Sequence, residues 1–244
     1  MIALSASELL EIWESGIFQK PFQRALLMIS AAFPEIASGD LLSLSLGQRD
    51  ALLLSLRKTI FGPRIMGITK CEGCEEHLEV AFDVDEILMD LPADHSKIMK
   101  LSMEDFEVFF RHPNSSDLLA ASDCKDTDSF SYSLLKRCLI SIILDTKEAS
   151  AEDLPEVVVD EIMARMEMSD PQADIHIALS CPLCKSEKKI AFDISSFLWS
   201  ELNAWAVRTL REVHILASAY CWRETDILAM SPWRRQFYLE VLNK

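Results

Sequence analysis

The hydrophobic and polar positions of residues 1–63 follow the pattern of amphipathic helices. Ser5-x-x-Glu8 and Ser45-x-x-Gln48 are capping boxes, in which the two side chains satisfy backbone amides that the first helical turn leaves without a partner. The first box predicts a helix that stops at Gly16, and the second predicts a helix that ends at Gly62-Pro63. We therefore predict an N-terminal helical section over residues 1–63.

Two later stretches have the pattern of β-hairpins and read as copies of each other. Ile65 to Thr69 and Ile175 to Leu179 are short β-prone runs, and each leads into a C-x-x-C turn. After five further residues a second apolar run ends in Ala-Phe-Asp, and the two stretches match without a gap from the first cysteine to the aspartate. Each stretch is predicted to form a strand, a turn, a second strand and the start of a helix. We place these hairpins at residues 64–90 and 171–197.

The segment between the hairpins, residues 97–170, is predicted as an insert. Lys97 to Leu101 and Phe106 to Arg111 alternate apolar and polar residues, which favours an antiparallel pair that extends the sheet of the hairpins. Longer apolar runs predict helices from about Tyr132 to Leu144 and from about Leu154 to Met168.

Three methionines fall close together in the segment from Glu161 to Asp170. Flexible, polarizable methionine side chains serve either to fill a core or to form an adaptable surface for a partner. We favour the core interpretation and keep the partner surface as the alternative.

The last section, residues 198–244, is predicted to be helical and to begin with the longest helix of the chain. Apolar residues recur at spacings of three and four from Leu202 to Tyr220, which indicates one continuous apolar stripe. Val207 and Ile215 fall off this stripe, so a second face of the helix is also apolar. Such a helix is expected to lie centrally or against another chain.

Composition limits the classes of partner. The 244 residues are half apolar, which is enough for a substantial core without disulfides, and the 24 basic and 39 acidic residues give a net charge of -15. The acidic excess argues against a nucleic-acid partner, because nucleic-acid binding depends on clustered lysine and arginine. No run approaches the roughly 18 apolar residues of a membrane span, and the N-terminus lacks the pattern of a secretion signal. We therefore expect a cytoplasmic protein without a membrane partner.

The cysteines carry the strongest chemical signal, because each C-x-x-C turn brings two thiolates to one point. A closed tetrahedral zinc site needs four such ligands, and the predicted set is Cys71, Cys74, Cys181 and Cys184. The 106 residues between the pairs exceed the usual spacing of about 15–20, but related hairpins packed about a pseudo-twofold axis bring their turns together whatever lies between them. We predict a structural zinc ion at this site. A redox dithiol and four buried or partly oxidised thiols are the alternatives, and His77 is a candidate alternative ligand.

No pattern in the sequence indicates catalysis. The five histidines show no metal-ligand spacing, and there is no G-x-S-x-G, no P-loop and no G-x-G-x-x-G. A catalytic zinc site keeps an open coordination position, whereas four cysteine ligands close the site. We therefore expect a protein that is not an enzyme.

The predicted fold class is α+β. The chain is interpreted as a single zinc-ribbon-centred domain over residues 1–244, with a central small antiparallel sheet built from the two duplicated C-x-x-C zinc-ribbon hairpins. The N-terminal and C-terminal helices flank these hairpins in the sequence. Whether the insert belongs to the same core or forms a lobe of its own stays open.

Four motifs follow one another along the chain: Leu46 to Leu54 leading to Phe61-Gly-Pro63, the paired C-x-x-C hairpins, Phe197 to Trp205 and Asp226 to Pro232. Their order resembles the T-even phage baseplate hub assembly proteins and their relatives encoded beside contractile injection systems. The motifs cover both ends of the chain and leave residues 98–170 unmatched. Zinc knuckles like those of the family often place glycine after the second cysteine, where this chain has Glu75 and Lys185.

The resemblance implies a non-enzymatic protein that holds baseplate hub or spike subunits during assembly. Our interpretation is therefore an assembly chaperone whose partners are hub or spike protein subunits, with a homo-oligomer left open. A permanent structural baseplate subunit is the first alternative, and a zinc-dependent or redox protein is the second.

Overall fold

The computed structural model describes residues 1–89, 98–124 and 126–242. Its contacts divide the chain into two compact units. The terminal unit consists of Met1–Glu35 and Ile194–Lys244, and the central unit is Ile36–Asp193. The single domain predicted over residues 1–244, with its five sections, stays a prediction.

Helices and small antiparallel sheets together give the mixed α+β fold that the sequence predicts. The helices are α1 (Ala6–Gly16), α2 (Pro21–Ala32), α3 (Ser38–Ser43), α4 (Leu46–Phe61), α5 (Val84–Ile87), α6 (Ser115–Ala121), α7 (Thr127–Cys138), α8 (Glu156–Ser169), α9 (Ile194–Tyr220), α10 (Glu224–Leu228) and α11 (Pro232–Leu242). The strands are β1 (Arg64–Lys70), β2 (His77–Asp83), β3 (Met99–Met103), β4 (Phe106–Phe110), β5 (Leu139–Leu144), β6 (Lys147–Glu148), β7 (His176–Ser180) and β8 (Glu187–Ala191). Short 3-10 turns lie at Ala151–Asp153 and Pro171–Ala173.

The terminal unit is a group of helices in which α1 and α2 contact α9. Ser5 caps α1 as predicted: its hydroxyl accepts a hydrogen bond from the Glu8 amide at 3.3 Å, and the Glu8 carboxylate accepts one from the Ser5 amide at 2.7 Å. α9 buries the predicted stripe, because positions spaced by three and four lie on one face of a helix. The buried residues of that face are Leu198, Leu202, Ala206, Thr209, Val213 and Leu216.

The residues of α9 that lie off this stripe have two different environments. Val207 and Ile215 are exposed, so the second apolar face faces solvent at these positions. Trp199 instead packs within the terminal unit, where the Arg24 guanidinium lies 4.4 Å from the centre of its ring. A Cβ at Gly16 would lie 2.5 Å from that ring, so the indole also fits closely against the predicted end of α1.

One hydrophobic core of the central unit lies between a four-stranded antiparallel sheet, in the order β3-β4-β5-β6, and helix α8. Alternate residues of the strands point toward α8, as expected for a sheet with one buried face. The buried cluster contains Leu101, Phe106, Val108, Phe110, Ile142, Val158 and Ile162.

Two predictions about this unit are wrong. The described strands form three sheets rather than one central sheet. β1 pairs only with β2, β7 pairs only with β8, and the strands of the insert form a separate sheet in which β4 pairs with β5. The helix predicted from Tyr132 to Leu144 ends at Cys138, and the isoleucine-rich run Leu139–Leu144 forms β5, since β-branched side chains favour strands. Lys97, the predicted start of an earlier strand, lies outside the described residues, and β3 begins at Met99.

Helix α4 anchors both hairpins of the central unit. Its predicted capping box is formed between Ser45 and Gln48, and its C-terminal end leads through Gly62, which has a φ of 86°, toward β1. At the other end the Gly47 amide donates a hydrogen bond to the Asp170 carboxylate at 3.0 Å. A negative charge is favoured there, because the N-terminus of a helix carries a partial positive charge. Asp170 is the N-cap residue of the 3-10 turn that precedes β7, so α4 holds the approach to each hairpin.

The close approach at Gly47 predicts that Gly47→Ala destabilises the protein. The added Cβ would lie 2.6 Å from Cγ of Asp170 and 3.0 Å from the Ala173 nitrogen, so the turn before β7 has to move. We expect the free energy of unfolding in urea to fall by about 1–3 kcal/mol.

Gly39→Ala in α3 is the matched control, because its added methyl group meets no packed atom within 4 Å. Since alanine is favoured over glycine in helices by about 1 kcal/mol, this variant should be as stable as the wild type or slightly more stable. Equal stability of the two variants would contradict the close contact between α4 and the turn.

Candidate metal centre

The two C-x-x-C turns have the same backbone geometry. In the first, the Cys71 amide donates to the Glu76 carbonyl at 2.8 Å, and in the second the Cys181 amide donates to the Ser186 carbonyl at 2.9 Å. The amide of the residue after each second cysteine, Glu75 or Lys185, donates back to the carbonyl of the first cysteine. The strands on either side are antiparallel hairpins, β1 with β2 and β7 with β8. Each turn therefore directs the side chains of its two cysteines to one side.

The residue after the second cysteine of each turn adopts a left-handed backbone conformation. Glu75 has a φ of 59° and Lys185 a φ of 60°. This conformation brings the Cβ of an L-residue close to the backbone and costs about 1–2 kcal/mol, which is why glycine is favoured there. The chain thus keeps the geometry of a glycine-containing turn with two charged residues in place of glycine.

The structure brings all four predicted site residues together. The sulfur atoms of Cys71, Cys74, Cys181 and Cys184 all lie within 4.8 Å of one another. The Cys71–Cys184 and Cys74–Cys181 sulfurs are 3.6 Å apart, although these residues are 113 and 107 positions apart in the sequence. All four cysteines are free, and a disulfide would need its sulfurs at about 2.05 Å.

The distances between the sulfurs fit the coordination of a metal ion. Four ligands at the usual zinc–sulfur distance of about 2.3 Å, arranged as a tetrahedron, place their sulfurs roughly 3.8 Å apart. The side chains of Cys71 and Cys181 are buried, whereas Cys184 lies at the surface. Four cysteine sulfurs so placed can hold a metal ion, and their softness and number are compatible with zinc.

Side-chain contacts away from the sulfurs also join the two hairpins. The two phenylalanines of the repeated Ala-Phe-Asp motif, Phe82 and Phe192, meet edge to face with ring centres 5.3 Å apart. At the rim, Lys188 of the second hairpin forms an ion pair with Glu72 of the first turn. The hairpins therefore contact each other near the cysteine turns and at the far ends of β2 and β8.

The sequence profile of the T4 bacteriophage base plate protein family matches residues 23–199. The chain belongs to this family. The match covers most of the chain, including both hairpins and all four clustered cysteines. No curated protein and no solved structure matches the chain. Membership in the family indicates a structural or assembly role in the phage baseplate, in contact with other baseplate proteins.

Within the described part of this baseplate protein, no helix is long and apolar enough to cross a bilayer.

Ser186 is the residue of the site that the sequence did not reveal. Its hydroxyl lies 3.4 Å from the Cys71 sulfur and 3.1 Å from the Cys184 sulfur. Hydrogen bonding from Ser186, followed by that from the backbone amides of Cys74 and Gly73, lowers the pKa of Cys71 to about 6. The Ser186 hydroxyl and amide also lower the pKa of Cys184. Both cysteines are thus biased toward the thiolate, which is the form that binds metals.

Cys74 shows the opposite shift. The backbone amide of Glu76 lowers its pKa, but burial and the neighbouring Cys181, Cys184 and Cys71 sulfurs outweigh this and raise the pKa to about 12. In this baseplate protein Cys74 therefore does not ionise beside the Cys71 and Cys184 thiolates without a compensating positive charge, because negative charges at this separation repel one another.

His77, the candidate alternative ligand, is not part of the cluster. Among the described residues, the group with ligand atoms close enough to share an ion consists of the four cysteines alone. His77 is exposed in β2, opposite Lys70 of β1. Another histidine, His95, lies outside the described residues.

The left-handed turns predict that glycine stabilises them. We expect Glu75→Gly and Lys185→Gly each to raise the free energy of unfolding by about 0.5–1 kcal/mol, because the relief of the left-handed strain exceeds the extra backbone entropy that glycine loses on folding.

Glu76→Gly is the control for this pair of variants. Glu76 directly follows Glu75 but has an ordinary negative φ, so replacing it with glycine should lower the free energy of unfolding. Urea unfolding followed by circular dichroism measures all three variants. A loss of stability in both left-handed variants would show that the side chains of Glu75 and Lys185 contribute more than the strain costs.

Proposed function

We propose that this baseplate-family chain is a non-enzymatic assembly chaperone for the baseplate hub of a phage tail or contractile injection system, with hub or spike subunits as its partners. The observation that carries the proposal is the family match over residues 23–199. The exposed apolar face of α9 at Val207 and Ile215 supports it, because a chaperone needs apolar surface for a subunit that is not yet assembled. The net charge of -15 keeps such a surface soluble.

The cysteine cluster is assigned a structural zinc ion held by duplicated zinc-ribbon hairpins. Four thiolates occupy all positions of a tetrahedral zinc ion, so no position remains for a water molecule or a substrate. The ion would supply the positive charge that lets the four cysteines ionise together, and it would fix the first hairpin to the second. This assignment supports a binding role rather than catalysis.

The zinc assignment predicts one zinc ion per chain in protein purified under reducing conditions. Elemental analysis combined with native mass spectrometry should find one zinc per chain in the wild type and none in Cys181→Ser, because three thiolates leave the site open and weakly bound. Cys221→Ser is the control, since this exposed cysteine lies outside the cluster and its loss should leave the zinc in place.

Other stoichiometries have defined meanings. Half a zinc per chain in a dimer would place the site between two chains, which would contradict the single-chain cluster. A metal-free protein whose cysteines form a disulfide with a mild oxidant would instead support the redox alternative.

The role as a chaperone predicts that the chain leaves the baseplate when assembly is finished. Quantitative mass spectrometry should find it in purified hub intermediates and not in completed particles, with a known structural tail protein as the control in both samples. A fixed number of copies in completed particles would favour the permanent structural subunit. Its absence from both samples would refute both roles.

A further inference from the structure

A groove between α7 and α8 of the central unit has no role in the cysteine cluster. The groove encloses about 290 Å³. Its apolar lining comes from α7, through Leu134, Leu135 and Cys138, and from α8, through Met163 and Met166. A space of this volume accommodates a large apolar side chain from another molecule.

The methionines of α8 are divided between the core and the surface. Met166 packs against the buried cluster of the four-stranded sheet, as the core interpretation predicts. Met163 is 53% exposed at the edge of the groove, and Met168 is 82% exposed on the same helix but outside the groove. Flexible methionine side chains at the edge of a cavity can adapt to the shape of an inserted group.

The charged groups at the groove are acidic. The ionisable residues among those that line it are His112, Cys138, Glu167, Asp170 and Asp174, and no lysine or arginine occurs among the described lining residues. Burial lowers the pKa of His112, which keeps its imidazole neutral near pH 7. The groove therefore combines an apolar floor with a negatively charged rim.

The acids that line the groove differ in how far they are already engaged. Asp170 is occupied at the Gly47 amide, and Asp174 lies 3.5 Å from His176. The side chain of Glu167 makes no hydrogen bond or ion pair within the described part of the chain and is exposed. The nearest cation on the same helix, Arg165, is bound to Glu161 at 2.8 Å. Glu167 is thus available to a cation supplied by a partner.

We infer that the groove between α7 and α8 binds a segment of another baseplate protein that carries a large apolar side chain next to lysine or arginine. The apolar side chain occupies the cavity, and the cation pairs with Glu167 at the rim. Charge complementarity selects this occupant, because a second copy of this chain also carries a net charge of -15 and a nucleic acid is itself anionic. The inference rests on the proposed function, since it names the surface that a baseplate partner contacts.

A pair of synthetic helical peptides tests the charge preference. Both peptides carry leucine on one face, and the remaining positions are lysine in one peptide and glutamate in the other. Full-length protein labelled with carbon-13 at the methionine methyl groups is titrated with each peptide. We expect the lysine peptide to shift the signals of Met163 and Met166 while the signal of Met66, which is exposed on β1, stays unchanged. Equal effects of the two peptides, or shifts spread over all exposed methionines, would overturn the inference.

Two matched pairs of variants locate the binding. Met163→Glu should weaken binding of the lysine peptide by roughly tenfold or more, whereas Met168→Glu adds the same charge to the same helix outside the groove and should not weaken it. Glu167→Lys should reverse the preference between the peptides, whereas Asp160→Lys, at a position of α8 outside the groove, should not. Equal effects within either pair would exclude the groove as the binding surface. Circular dichroism of each variant shows whether it is folded.

Recovery of hub intermediates separates this inference from the proposed function. If the Met163→Glu chain still joins hub intermediates as the Met168→Glu chain does, the groove is not the partner surface and the role in assembly stands. If the wild-type chain itself never joins them, the proposed function fails whatever the peptides show.

Discussion

The central unit depends on the meeting of two cysteine turns whose facing residues Cys74 and Cys181 are 107 positions apart in the chain. Neither hairpin has enough strands to be stable alone, because an isolated two-stranded sheet in water is marginal. Each becomes stable through the other, by the contact of Phe82 with Phe192 and by the shared sulfur cluster. The proposed zinc ion would cross-link the two turns. By the chain-entropy relation established for disulfides, a cross-link that closes a loop of this length would destabilise the unfolded chain by about 4–5 kcal/mol.

Helix α4 holds the two hairpins in position relative to each other. The same rigid element continues toward β1 at one end and binds the approach to β7 at the other through the Gly47 amide and Asp170. The contact is specific in two ways, since it needs a carboxylate at a helix N-terminus and a residue without a side chain opposite it. The residues between the hairpins in the sequence fold into the four-stranded sheet and α8, which have a core of their own. The long insertion therefore does not keep the two hairpins apart in space.

Features marked by a specific residue pattern could be predicted from the sequence. The capping boxes at Ser5 and Ser45 are local patterns, so the helix starts lie where they were expected. The four-cysteine cluster is a long-range contact, and it could be predicted because the two hairpins repeat the same motif. The run Leu139–Leu144 was misassigned because a short, fully apolar segment has no periodicity that separates a helix from a strand. Likewise, nothing in the spacing of the chain shows that Ser186 lies beside the sulfurs or that the hairpins form separate sheets.

The separation of the two cysteine turns has a consequence for the protein as it is made. Translation adds about 5–20 residues per second, so a segment 107 positions later leaves the ribosome roughly 5–20 seconds afterwards. During that interval Cys71 and Cys74 are present without the second pair of sulfurs. The first hairpin therefore passes through a stage in which its thiols are exposed to oxidants and to stray metal ions, and correct folding depends on how well the growing chain is protected before its own partner arrives.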